Sequence, residues 1–197
     1  MRLLWVLPCI ACLAFLTGCF TTDDSGPPSN ANQPAAWEVY TNIPSGFCFP
    51  NHVDDFKRGR VTRYERLDWD IGVGYDQFFN QIAMTVFIYP MPPKGADSTL
   101  EGHFADCKKA VYEAHKGAQL ISEGPVQISP GGTQQRGKRA AFIYTEMFAD
   151  QVQPVRSEIY LFTNEQKFVL YRSSYPVSQQ RKAEPDVTLF LNDLAWP

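Results

Sequence analysis

An α+β domain with a mainly antiparallel sheet and a helix on each face is the fold that the sequence predicts, and three observations carry it. A long amphipathic helix pattern lies mid-chain, at residues 98–116. Runs rich in β-branched and aromatic residues flank it on both sides, separated by Gly, Pro, Asn and Asp. The last of these runs are apolar on both faces: Ile159 and Leu161 alternate with Tyr160 and Phe162, and Phe168 and Leu170 with Val169 and Tyr171. A sheet with one wet face carries polar residues at every second position. A covering layer is therefore expected on each side, giving an α/β/α sandwich-like arrangement.

The elements follow in order. Strands are expected at 61–67, 70–75 and 82–89. The helix comes next, opened by Ser98 and Glu101 at the spacing of a capping box and closed by Gly117. Leu100, Phe104, Cys107, Val111 and Ala114 recur at three- and four-residue steps and mark its core face. Further strands are expected at 118–122, 126–129, 139–148, 155–163 and 167–175, the last three as a meander. A second helix closes the chain, with Pro185 in its first turn and Val187, Phe190, Leu191 and Leu194 on one face.

Ahead of this domain the chain reads differently. Arg2 is the only charge in the first eighteen residues and precedes an apolar run from Leu3 to Leu16. A basic start, an apolar stretch of this length and small residues after it describe a secretory signal peptide over 1–18. The run is shorter than the roughly 18–20 apolar residues of a membrane-crossing helix. Leu16-Thr17-Gly18-Cys19 resembles the lipobox of bacterial lipoproteins. The resemblance implies cleavage before Cys19 and acylation of that residue with chains such as palmitate, which anchors the domain in a membrane. Phe20 rather than Asp follows the cysteine, which by the same resemblance favours the outer membrane, facing the periplasm, over the inner. Residues 20–36 are almost devoid of apolar side chains and read as a tether behind Cys19, with an expected span near 22 Å. Residues 37–197 are left for one domain with one core.

Removing Arg2 with the signal peptide takes the formal charge from −3 to −4. A mildly acidic domain lacks the basic face of a nucleic-acid binder. Of the five cysteines, Cys9 and Cys12 leave with the signal and Cys19 carries lipid, so Cys48 and Cys107 remain. In an oxidising envelope their simplest state is a disulfide, closing a loop of about sixty residues worth about 4 kcal/mol on the chain-entropy model.

The order of hairpin strands, long helix, meander and closing helix ending Phe190-Leu191-Asn192-Asp193-Leu194 resembles PsbP-like α/β/α sandwich domains. Uncharacterised exported bacterial proteins with strands like Asp70-Ile71-Gly72-Val73-Gly74-Tyr75-Asp76 and Met84-Thr85-Val86-Phe87-Ile88-Tyr89-Pro90 are similar too. The resemblance implies a small accessory or binding protein.

Candidate chemistry is sparse. His52, His103 and His115 form no metal-ligand motif, and neither a metal nor a cofactor is expected. His103 and Cys107 stand four apart on one helix with Asp106 beside them, the raw material of a thiol nucleophile or a zinc ligand set. The core face of the helix claims Cys107 instead. The stretch Gly131-Gly132-Thr133-Gln134-Gln135-Arg136-Gly137-Lys138-Arg139 lacks the Lys-Ser/Thr ending of a phosphate loop and reads as a hairpin connection. Asp54-Asp55 reads as a charged turn. Glu65, Glu146 and Glu158 are expected on strands, paired or solvated. Tyr64, Tyr75, Tyr89, Tyr144, Tyr160, Tyr171 and Tyr175 read as sheet cover, with an aromatic groove as the lesser alternative. The expectation is a non-catalytic, membrane-anchored binding or accessory module, its partner an envelope protein or glycan. The alternatives are an enzyme using Cys107 with His103, or a carrier with an apolar pocket between sheet and helix.

Overall fold

The computed structural model describes residues 39–93 and 98–197. The expected signal peptide (1–18), Cys19 and the tether to residue 36 lie outside the described residues.

A small hairpin pairs β1 (Tyr40–Thr41) with β2 (Cys48–Phe49). Then come β3 (His52–Val53), β4 (Phe56–Arg63), β5 (Ile71–Gln77) and β6 (Ile82–Pro90), followed by α1 (Leu100–Ala114). Beyond α1 lie β7 (Gln119–Ile128), β8 (Gln135–Phe148), β9 (Gln151–Asn164) and β10 (Lys167–Pro176), and α2 (Gln180–Asp193) closes the chain. Strands β3 to β10 form one eight-stranded sheet in the order β3-β4-β5-β6-β10-β9-β8-β7, antiparallel at every pairing. This is the α+β architecture expected from the sequence.

The two-sided apolar pattern of β9 and β10 has the expected cause. On one face, Tyr171, Phe162, Val73 and Tyr75 pack with Val187, Phe190, Leu191 and Leu194 of α2 and with Phe47 and Phe49 of the first hairpin. On the other, Leu161, Phe168, Leu170 and Phe142 pack with Phe104, Cys107 and Val111 of α1. The sheet separates two cores. The chain also comes very close to itself at Gly137, opposite Phe162: a Cβ there would lie 2.3 Å from the Leu161 carbonyl oxygen and 2.4 Å from the Phe162 ring.

Four of the differences from expectation have a clear physical reason. Thr99, not Ser98, caps α1, its hydroxyl accepting from the Gly102 amide at 3.0 Å. Strand β4 ends at Arg63, because the Tyr64 amide turns back to the Asp70 carbonyl and residues 64–70 make a loop, which removes Glu65 from the sheet. Residues 119–128 are one strand rather than two. Pro125 is tolerated because β7 pairs with β8 alone and is an edge, where a missing N–H costs little. Helix α2 begins at Gln180, so Pro185 sits in its second turn, exposed on the solvent side.

Candidate functional site

The polar residues that the fold buries gather in two networks, one per core. Glu158, on β9, is 1% exposed and faces α2. Its carboxylate accepts from Arg156 Nε at 2.6 Å, Arg139 Nε at 2.9 Å, the Tyr175 hydroxyl at 3.0 Å and the Tyr160 hydroxyl. Register explains the convergence: Tyr160 lies opposite Arg139, and Ser173 opposite Glu158, so the donors sit one step away on the same face. Arg156 also reaches Glu184 of α2 at 3.3 Å. Burial pushes the Glu158 carboxyl up. The hydrogen bonds from Tyr160 and Arg156 and the charge of Arg139 outweigh it and hold the group below its ordinary value. Burial, reinforced by the charge of Glu158, pushes the Tyr160 and Tyr175 phenols well above theirs, so both stay protonated donors.

The second network lies under α1. His115, the residue that ends the helix, stacks on the Tyr144 ring at 3.9 Å. Its Nδ1 is 2.9 Å from Glu146 Oε2, and its Nε2 is 2.6 Å from Arg172 Nη2. A guanidinium only donates, so Nε2 accepts and the ring proton sits on Nδ1, directed at Glu146. Arg172, 4% exposed, also donates to Tyr144 Oη at 3.1 Å and Ser157 Oγ at 3.3 Å. Carboxylate, imidazole and cation thus form a chain from the half-buried Glu146 to the buried Arg172. A general base needs a ring nitrogen facing substrate, and here Arg172 occupies that nitrogen.

The remaining candidates are distributed as follows. His103 Nε2 is 2.7 Å from the Tyr89 hydroxyl, and its ring stacks on Phe168 at 4.1 Å. Cys107 is 4% exposed in the same layer. The Cys48–Cys107 bridge expected from the sequence is not formed. Cys48 is exposed on the first hairpin, near Thr41, on the α2 side, whereas Cys107 is buried on the α1 side, with the sheet between them. The glycine-rich stretch is a short turn at 130–132 followed by β8, and its Arg139 serves Glu158. Asp54 shares a hydrogen bond with Asp193, which raises the Asp54 carboxyl. Among the described residues no cluster of three or more His, Cys, Asp or Glu is arranged to hold a metal ion. His52 is exposed beside Asn51. Tyr75, Tyr89, Tyr144, Tyr160, Tyr171 and Tyr175 are all buried and divided between the two cores, which replaces the groove reading.

One surface was hidden in the sequence. The segment 39–43 and the loop 64–70 are clipped together: Asn42, 1% exposed, donates from Nδ2 to the Asp68 carbonyl at 2.9 Å, and the Arg63 guanidinium lies over the Tyr40 ring. Within the loop, Glu65 accepts from the amides of Leu67 and Trp69, and Arg63 pairs with Asp68 at 2.8 Å. Asp68 takes a left-handed backbone, φ 60°, which Asp adopts more readily than most residues. This held loop presents Leu67 (69% exposed) and Trp69 (46%) to solvent, beside Val39 (53%) and Ile43 (82%). Acids at 65, 68 and 70 were the available signal, since a strand buried on both faces does not carry them at that spacing.

No protein-family profile and no curated protein matches the sequence. Among solved structures, the fold is similar to a protein of unknown function from Pseudomonas aeruginosa, at 8% identity and TM-score 0.42, covering 76% of this chain and 90% of the other. It is similar to the cyanobacterial PsbP of Synechocystis sp. PCC 6803, at 16% identity and TM-score 0.45, covering 85% and 96%. It is also similar to the Ran-binding protein Mog1p of Saccharomyces cerevisiae, at 12% identity and TM-score 0.37, covering 77% and 78%. All three are distant likenesses of fold.

Proposed function

We propose that this protein is a bacterial envelope lipoprotein, anchored through an acylated Cys19, whose folded domain is a non-catalytic binding or accessory module. One observation carries the reading: Leu16-Thr17-Gly18-Cys19 stands at the end of a basic-then-apolar leader, where a lipobox must fall. The engagement of the buried polar groups supports the non-catalytic half. Glu158 has four donors on its two oxygens, and the imidazole of His115 is held at both nitrogens. Such groups stabilise and specify a fold. Phe20 after the anchor favours the outer membrane, facing the periplasm.

Changing Cys19→Ala is expected to move the full-length protein from the membrane fraction of a bacterial host to the soluble or uncleaved-precursor fraction. Incorporated radiolabelled palmitate should disappear with it. Retention in the membrane with undiminished label in Cys19→Ala would refute the anchor.

A further inference from the structure

We infer that the end of the domain where residue 39 emerges is a bilayer-contacting surface, made of Val39, Ile43, Leu67 and Trp69, that rests on the membrane holding the Cys19 lipid. The inference depends on the anchor reading and goes beyond it, since a lipidated domain can also hang clear of the surface.

Three observations select lipid as the occupant. First, about twenty residues separate Cys19 from Val39, and three residues further on Asn42 holds the entering segment to the 64–70 loop. Along the chain, this is the described segment nearest Cys19. Even at full extension the intervening chain reaches only about 70 Å, at roughly 3.3–3.6 Å per residue. Tethering at that range gives an effective concentration on the order of millimolar, so a small apolar contact suffices.

Second, the loop is built to hold its apolar side chains outward. Glu65 fixes the amides of Leu67 and Trp69, the Arg63–Asp68 pair closes the loop, and Asn42 ties it to the entering strand. A loop shaped only for solubility would not present a Leu and a Trp from a fixed frame. Third, the chemistry suits an interface. Trp carries an apolar ring with a polar N–H and concentrates at the headgroup level of membranes. Arg66, exposed next to Leu67, carries a guanidinium of the kind that pairs with lipid phosphate. Phe78 and Phe79, also exposed, lie at the opposite end of β5 and face away from the bilayer in this pose.

The test uses the lipidated mature protein, beginning at Cys19 and carrying Trp37→Phe, reconstituted in phosphatidylethanolamine–phosphatidylglycerol vesicles with or without brominated phosphatidylcholine. Trp5 leaves with the signal peptide and Trp196 is packed between Phe47, Phe162 and Tyr171, so Trp69 is the responsive fluorophore. The expected result is co-flotation with vesicles, a blue shift of emission and quenching by the brominated lipid. Quenching should vanish in Trp69→Phe, weaken in Ile43→Ser/Leu67→Ser, and persist in Phe79→Ser. Protein that floats but shows no quenching of Trp69 overturns the surface and leaves the anchor standing. Protein that does not float overturns both.

Discussion

Replacing Glu158 with alanine is expected to lower the stability of the domain by about 3–5 kcal/mol, read as a fall in the urea midpoint at neutral pH. The size follows from what is left behind. Arg156 is 9% exposed at its side chain and loses its shortest partner, while the Tyr160 and Tyr175 hydroxyls lose their acceptor inside the core. A buried ion pair can be nearly neutral against an apolar replacement of the whole group, but removing one member strands the others. The pH dependence has a definite sign. Because the folded carboxyl lies below its ordinary value of 4.5, Glu158 contributes stability that is present above that value. That contribution is lost as pH falls through the folded pKa. Glu158→Gln, which keeps the size and removes the charge, should differ most from wild type at neutral pH and converge on it in acid. A gap that widened in acid would mean that the network is not held by the ionised form.

Phe190→Ala is expected to cost about 3–5 kcal/mol, the range for deleting a fully buried aromatic ring. Phe190 is 0% exposed and is the centre of the α2-side core. Its ring meets Phe56 at 4.9 Å, Tyr75 at 5.0 Å and Tyr171 at 6.4 Å, all edge-on. These partners come from β4, β5 and β10, so the cavity would loosen the contact of α2 with three strands of the sheet. Leu189, the next residue, is 52% exposed, and Leu189→Ser should stay within about 0.5 kcal/mol. Thermal or urea unfolding of the two variants side by side measures the contrast.

The architecture was legible because it rests on periodicity. Val187, Phe190, Leu191 and Leu194 mark the buried face of α2, and the two-sided apolarity of β9 and β10 demanded a layer on each face. Boundaries were less legible where side chains rather than pattern decide them. The capping hydroxyl of Thr99 moved the start of α1, and the edge position of β7 made Pro125 harmless. The polar networks were hardest to see. Arg139 and Glu158 are nineteen residues apart, and His115 and Arg172 fifty-seven; strand register and the helix end bring them together. Glu158 at the start of the apolar run of β9 and Arg172 at the end of that of β10 were the signals, since a charge in a doubly covered strand needs a partner. The separation of Cys48 from Cys107 was invisible for the same reason: spacing along the chain does not say which side of a sheet a thiol occupies.

The intact mass of the protein extracted from membranes of a bacterial host decides whether Cys19 is the lipid anchor. The expected chain begins at Cys19, without residues 1–18, and is heavier than its polypeptide by a diacylglyceryl group and, where the new amine is acylated, one further acyl chain. A chain that retains residues 1–18, or that carries residue 19 unmodified, would contradict the anchor.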